Sequence, residues 1–389
     1  MNLDFSTDET AFRDEVRDWL QTHAPAESRP LDGEPMADFD RRWQRAQFDA
    51  GWAGIAWPCD YGGCGLTTIK QLIWYEEYAR AKAPFVGINF VGLNHGGPTL
   101  IHLADEAQKA FHLAPILRGD HIWSQGFSEP GSGSDLASLT TRADIDGDHL
   151  VVNGSKIWTS WAQWSEFQEL MVRSEPGSRR HSGLSWLICD MKTPGITIRP
   201  IMTMGGCNEY CEVFYDDVRV PLANVVGGMG NGWKVAMTTL SFERGTAFLA
   251  EQMEMAIHVE ELIDLARDRT DHRGRPMLQD DAIAARLATT RAEVAALRSM
   301  TLAGVSRNER VGKPGPEGSM IRLYMAEIAQ RMYALAMDVL GQDAVVLSPD
   351  NSGWTRSFLH GFAHTIGGGT AEIQCNIIGE RVLGLPRGR

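Results

Sequence analysis

The chain has 389 residues, 43% of them hydrophobic, which is more than one ordinary core holds, so several domains or one multi-part fold are expected. Fifty acidic against 37 basic residues leave a net charge of −13, which argues against a nucleic-acid or anionic-membrane partner but not against a phosphorylated ligand in a local pocket. The acidic N-terminus has no basic stretch leading into an apolar block, no apolar run approaches ~20 residues, and six cysteines form no CxxC pair. A cytoplasmic protein with free thiols, no membrane span and no metal site is the expectation.

Ser6 followed by Glu9 has the form of a capping box, and Phe12, Val16, Trp19 and Leu20 then recur at helical spacing. Helical patterns continue over Phe39 to Ala50, Ile69 to Ala81 and His95 to Leu117, broken by the Gly/Pro-rich stretches near Pro58 to Gly65 and Pro84. From Ile122 the period changes to two. Thr141, Ala143 and Ile145 alternate with polar neighbours, Asp146-Gly147 supplies a turn, and Leu150 and Val152 alternate again; Leu184 to Asp190, Ile196 to Pro200 and Glu212 to Val220 read as short strands. After the glycine-rich run 227–232, helical patterns cover Trp233 to about Arg269, Asp280 to Asn308, Gly318 to Leu340 and Glu372 to Leu383. The expected fold is therefore α+β: an N-terminal all-α domain (1–121), a middle β-barrel-like domain (122–226) and a C-terminal four-helix bundle (227–389).

Two segments carry most of the functional signal: Gln125 through Asp135 (QGFSEPGSGSD), and Lys156 through Ser160 (KIWTS). The first is dense in glycine and hydroxyls, so backbone N–H groups can approach a polar ligand. The second ends a strand on a tryptophan and two hydroxyls. Together they suit a flat heteroaromatic ring, which needs an apolar face against it and donors along its edge.

With these segments, and with Gly51-Trp52 through Pro58, Tyr61-Gly62-Gly63, Val218-Arg219-Val220-Pro221 and the closing Gly367 through Gln374, the sequence resembles the acyl-CoA dehydrogenase family almost end to end. The resemblance implies FAD as cofactor, a CoA thioester as substrate, a trans-2-enoyl-CoA as product and an electron-transferring flavoprotein as reoxidant. It places Trp158 against the flavin ring, Ser160 at flavin N5 and Phe127 and Ser128 at the pyrimidine edge, with Thr370 and Glu372 completing the cofactor set. Ser134 falls where family members contact the CoA side of the substrate.

The family's best-known base, a Glu immediately before a Gly-Thr near the C-terminus, is replaced here by Gly368, whose backbone N–H is still implied as a donor to the thioester carbonyl. A minority of the family carries the base in a Glu-Arg pair on the first long helix of the bundle. Glu243-Arg244 stands at that place, where Ala236, Leu240, Glu243 and Ala247 share one helical face, so the carboxylate interrupts an apolar stripe and its pKa is raised. The alternative for Glu243 is a structural ion pair with an arginine. Arg244 either steadies the adenosine end of CoA or only holds the helix.

The resemblance fails at one place. Homo-oligomeric members supply an Arg-x-x-Phe-Gly segment to the FAD diphosphate of a neighbouring subunit, whereas this chain reads Arg269-Thr270-Asp271-His272-Arg273-Gly274, with Asp280 or Asp281 where a Gln is expected. A carboxylate beside a diphosphate is unfavourable, so a hetero-oligomer with a related chain is the expectation, the alternative being that Arg269 or Arg273 takes the role in a homo-oligomer. The remaining readings of the whole chain are a non-catalytic subunit of such a heteromer, or an acyl-CoA oxidase or flavin monooxygenase on the same fold.

Overall fold

The computed structural model describes residues 5–243, 249–311, 315–347 and 352–386, without the side chains of Glu243 and Ser352. Its helices run over α1 Thr7–His23, α2 Gly33–Asp49, α3 Thr68–Arg80, α4 Gly97–Leu103, α5 Glu106–Arg118, α6 Gly232–Glu243, α7 Leu249–Asp268, α8 Asp281–Val311, α9 Gly318–Leu340, α10 Ser352–Gly361 and α11 Ala371–Ile377. The strands are β1 Trp123–Gly126, β2 Arg142–Asp146, β3 His149–Ser160, β4 Phe167–Arg173, β5 Leu184–Asp190, β6 Ile196–Ile201, β7 Tyr210–Pro221 and β8 Val225–Val226. An N-terminal helical region, a middle sheet and a C-terminal helical region follow one another.

The chain divides into two compact units that cut across this order. One comprises Met1–Ala24, Thr67–Ala83 and Arg244–Arg389; the other, Pro25–Leu66 and Pro84–Glu243. In the first, the Ser6 capping box forms as the sequence predicts, with Ser6 Oγ accepting from Glu9 N and Glu9 Oε2 from Ser6 N. Phe12, Val16 and Leu20 are buried. The core shared by α7, α8 and α9 contains Met255, Val259, Leu262, Leu287, Leu297, Ile328, Met332 and Leu335. Glu76 and Glu77, nearly fully buried on α3, are met by Arg13, Arg17, Arg80 and Arg298.

In the second unit the strands form one sheet in the order β6-β7-β3-β2-β4-β5-β8, with β1 added in parallel to β4. The hairpin β2–β3 pairs Ala143 with Val152 and Asp146 with His149, so that Gly147-Asp148 is the two-residue loop and Gly147 takes φ +62°. The sheet is covered on both faces. Leu150, Val152, Leu170, Val172, Leu187, Val213 and Val218 fill one side; Trp123, Phe127, Met171, Trp186 and Ile188 pack on the other with Trp57, Leu100, Leu113, Ile116, Val235 and Ala236 from the helical segments.

Three local expectations are corrected. The single pattern from His95 to Leu117 is a π-helical turn, Gly92–Gly96, followed by α4 and then α5, which restarts at a second capping box, Asp105 with Gln108. The helical pattern from Trp233 to Arg269 agrees with α6 up to Glu243 and with α7 from Leu249, and 244–248 lie outside the described residues. The last helix begins as α11 and loosens into a π-helical turn at Ile378–Val382. Strands β1, β4 and β8 and helix α10 have no counterpart in the sequence reading.

Candidate active site

The two glycine- and hydroxyl-rich segments meet in the second unit. Lys156, fully buried on β3, donates from Nζ to the Phe127 carbonyl at 3.0 Å and to Glu129 Oε1 at 2.9 Å. The Ile157 N–H donates to the Ser128 carbonyl at 2.9 Å. Glu129 accepts further from Thr140 N, Thr140 Oγ1 and Thr141 N at 2.7–2.9 Å. Burial pulls the Lys156 ammonium down to about 8, the Glu129 charge opposing it. Burial pushes Glu129 up, but Lys156 and the threonine donors overcome it and hold the carboxyl at about 2. The pair is charged at neutral pH and pins both segments to one another.

Just beyond this pin, β3 is irregular. Its pairing with β7 shifts between Lys156 and Thr159, and Trp158 takes φ +60°, a left-handed conformation that costs a bulky residue roughly 1–3 kcal/mol and clusters at functional sites. The result is an indole 57% exposed, next to buried Thr159 and half-buried Ser160, with the Tyr210 ring edge-on at 6.1 Å. The Thr159 Oγ1 is buried and makes no hydrogen bond among the described residues. A flat uncovered ring, a half-buried hydroxyl two residues on and the Phe127–Ser128 backbone fastened alongside fit an isoalloxazine.

Ser134 is exposed in the loop after Glu129. Arg173 secures that loop, donating to the carbonyls of Ala137 at 2.8 Å and Leu139 at 3.2 Å, and reaches Ser178 Oγ and the Ser182 carbonyl on its other side.

In the first unit, Gly367 through Thr370 precede α11. Arg322 donates to the Gly367 carbonyl at 2.9 Å, and Gln374 Nε2 to the carbonyls of Gly368 at 3.0 Å and Gly369 at 3.3 Å. Gly368 and Gly369 have φ +67° and +98°, and a Cβ on Gly369 would come within 2.9 Å of Gln374 Nε2. With the carbonyls held, the Gly368 N–H makes no hydrogen bond among the described residues. Thr370 caps α11, its Oγ accepting from Ile373 N at 3.3 Å, and Glu372 is drawn below its ordinary pKa by its own backbone N–H and the Thr370 hydroxyl. Glu243 ends α6, on which Ala236 is buried and Leu240 packs against the core. Its side chain, and all of Arg244, lie outside the described residues.

At the segment where the resemblance fails, Arg269 pairs with Asp343, and Asp271 accepts from Arg273 N, Arg275 N and the Arg275 guanidinium. Those donors hold Asp271 at about 2, Arg275 N contributing most. Thr270 bridges to Pro276, closing a tight turn. Arg269 is committed, and an anionic side chain occupies the turn.

Comparison with known proteins supplies the remaining identification. The sequence profiles of the acyl-CoA dehydrogenase N-terminal, middle and C-terminal domains match residues 6–120, 124–218 and 230–383. The chain is 42% identical to acyl-CoA dehydrogenase IpdE1 of Mycobacterium tuberculosis over 97% of both chains, and 34% identical to acyl-CoA dehydrogenase FadE26 of the same organism over 100% of this chain and 99% of that one. Among solved structures, it matches the Tcur3481-Tcur3483 steroid ACAD with a TM-score of 0.88 at 31% identity, covering 100% of both chains. It matches the ChsE4-ChsE5 complex from Mycobacterium tuberculosis at 0.87 and 33%, again over 100% of both. No helix among the described residues is long and apolar enough to cross a membrane. The chain belongs to the acyl-CoA dehydrogenase family, whose members are in general FAD-dependent oxidoreductases.

Proposed function

We propose that this chain catalyses the α,β-dehydrogenation of an acyl-CoA thioester to the trans-2-enoyl-CoA, with Glu243 as the base and with FAD held by Phe127, Ser128, Trp158, Ser160, Thr370 and Glu372. The observation that carries the reading is the exposed Trp158 indole at the strained end of β3, pinned beside Phe127 and Ser128 by the buried Lys156–Glu129 pair. FAD, when bound, supplies the acceptor for the hydride leaving the β carbon. Glu243 takes the α proton onto its carboxylate. The Gly368 N–H donates to the thioester oxygen, lowering the cost of the negative charge that gathers there as the α C–H bond breaks. Ser134 and Arg244 contact the CoA portion. Bound next to the indole, the ring system gains an apolar face. Trp158→Ala should weaken FAD binding about three- to tenfold, the equivalent of ~0.5–1.5 kcal/mol, and leave the thermal midpoint nearly unchanged because the ring is mostly exposed. Fluorescence titration of the apoprotein with FAD measures the first and a melting curve the second.

The acyl group, in this reading, is bulky or ring-bearing, as in the steroid enzyme among the structural relatives, because a glycine at 368 leaves space beside the thioester. Asp271 and the Arg269–Asp343 pair speak against this chain's own turn binding a second copy's FAD diphosphate. A related partner chain supplies that contact, in an assembly of the ChsE4-ChsE5 kind. An electron-transferring flavoprotein in the cytoplasm reoxidises the complex. Purifying the chain alone and together with a related chain of the same family tests the assembly. Visible flavin absorbance is expected at full occupancy only in the mixture, and a fully flavinylated homo-oligomer would remove the need for a partner. Bleaching of that absorbance by a panel of CoA thioesters identifies the acyl group, and hydrogen peroxide release without an added electron acceptor would mark an oxidase instead.

A further inference from the structure

On the helix-facing side of the sheet, three polar side chains meet inside an apolar region. His95 comes from the π-helical turn Gly92–Gly96, a feature common at functional sites. Gln125 and Glu169 are direct partners in the parallel β1–β4 register. Gln125 Nε2 lies 2.7 Å from Glu169 Oε1 and 3.2 Å from His95 Nδ1, and His95 Nδ1 is 3.6 Å from Glu169 Oε1. The Phe90 ring stands edge-on to the imidazole at 5.3 Å, and Trp123, Phe127 and Met171, two places from Gln125 or Glu169 in sequence, belong to the buried apolar cluster of this face. His95 is 5% exposed and Glu169 not at all, whereas Gln125 is only half-buried.

An apolar set would fill this space at lower cost, since buried carboxylates must be matched by donors. The geometry gives the polar set a purpose. The amide nitrogen of Gln125 donates to Glu169 Oε1 and so faces that carboxyl. The amide carbonyl is then turned away from the pair, and its oxygen takes no hydrogen bond among the described residues. Gln125 lies two residues before Phe127 on the same face of the extended chain, about 7 Å along it. The pyrimidine edge of an isoalloxazine presents one donor, N3–H, between two carbonyl acceptors.

We propose that Gln125 orients the cofactor by accepting that N3–H at its side-chain carbonyl, and that His95 and Glu169 are positioning residues that fix the amide for it. This rests on the flavin reading of the preceding subsection. The test uses the FAD-loaded protein, with its partner chain where loading requires one. It compares Gln125→Met, Glu169→Gln and His95→Gln, and the double variant Gln125→Met with Glu169→Gln. The readouts are FAD affinity, the visible flavin spectrum, the flavin midpoint potential and the melting temperature.

Loss of one hydrogen bond predicts about three- to tenfold weaker FAD binding for Gln125→Met, with a displaced visible band and an altered potential. Glu169→Gln and His95→Gln are expected to move the same readouts in the same direction by less. In the Gln125→Met background, Glu169→Gln should change affinity by under about twofold, because it acts through the amide already removed. Variants that melt earlier but keep the wild-type affinity, spectrum and potential would overturn the proposal, as would a Glu169→Gln effect undiminished in the double variant. A wild-type protein that takes up no FAD would overturn the flavin reading along with it; normal uptake with unmoved variants would overturn this inference alone.

Discussion

Glu243→Gln is expected to lower turnover with an acyl-CoA substrate by about 10²- to 10⁴-fold, the ordinary contribution of a positioned general base, while FAD content and melting temperature stay close to wild type. The isosteric amide keeps the shape of the side chain and removes only its capacity to take a proton. Because Gly368 offers no carboxylate at the family's usual base position, no acid there can share the work, so the loss should fall on kcat and on kcat/KM alike. Glu243→Asp, which shortens the reach by one methylene, should sit between the two. The assay belongs in the assembled complex with substrate-dependent flavin bleaching as readout, since this separates proton abstraction from reoxidation. An unchanged bleaching rate would identify the chain as the non-catalytic subunit.

That prediction comes from sequence position, and the reasons other features escaped a sequence reading are physical. The β2–β3 hairpin is legible because one face of each strand is buried and the turn needs Gly147 at positive φ. Strand β4 is not, because both its faces are buried and its polar residues find partners inside. Glu169 meets Gln125, and Gln168 accepts from the Tyr215 hydroxyl, so neither alternation nor a continuous apolar run marks Phe167–Arg173. Gly126 shows the same hidden constraint, since a Cβ there would come within 2.7 Å of the Gln168 side chain. The segments that carry Phe127, Ser128, Trp158 and Ser160 stand out in the sequence as ordered motifs, and the structure joins them through Lys156 and the Ile157 N–H. The left-handed backbone that uncovers Trp158 does not stand out, because it results from a register shift against β7 that no local signal encodes. Nor does the role of Lys156. A lone lysine between a serine and an isoleucine looks like an exposed strand residue until its partner, 27 positions earlier in sequence, closes on it.

That partner makes the Lys156–Glu129 pair the second large expected effect, this time on stability. Removing one member leaves the other charge buried without compensation, at a cost of about 3–5 kcal/mol. Lys156→Met or Glu129→Gln alone should therefore lower the melting temperature of the unit that contains them by roughly 6–20 °C, taking ~2–4 °C per kcal/mol. FAD should be lost well before unfolding, because the Phe127 and Ser128 backbone is no longer fastened to β3. The double variant Lys156→Met with Glu129→Gln should be less damaged than the two single losses added together, since it removes both charges.

The pH dependence discriminates further. Glu129 is held at about 2 against an ordinary 4.5, so its contribution is complete above pH ~4.5 and is lost as the pH falls from there toward 2. Lys156 is depressed to about 8 from 10.5, so the unfolded chain binds the extra proton between those values and stability rises with pH across that window. In Glu129→Gln the acid-side loss should disappear. The alkaline gain should begin at a lower pH, because burial then acts on the ammonium without an opposing charge. Denaturant titrations of wild type and Glu129→Gln from pH 3 to 10 would show this as a crossing of slopes, and parallel curves would mean that the ion pair is not what joins the two segments.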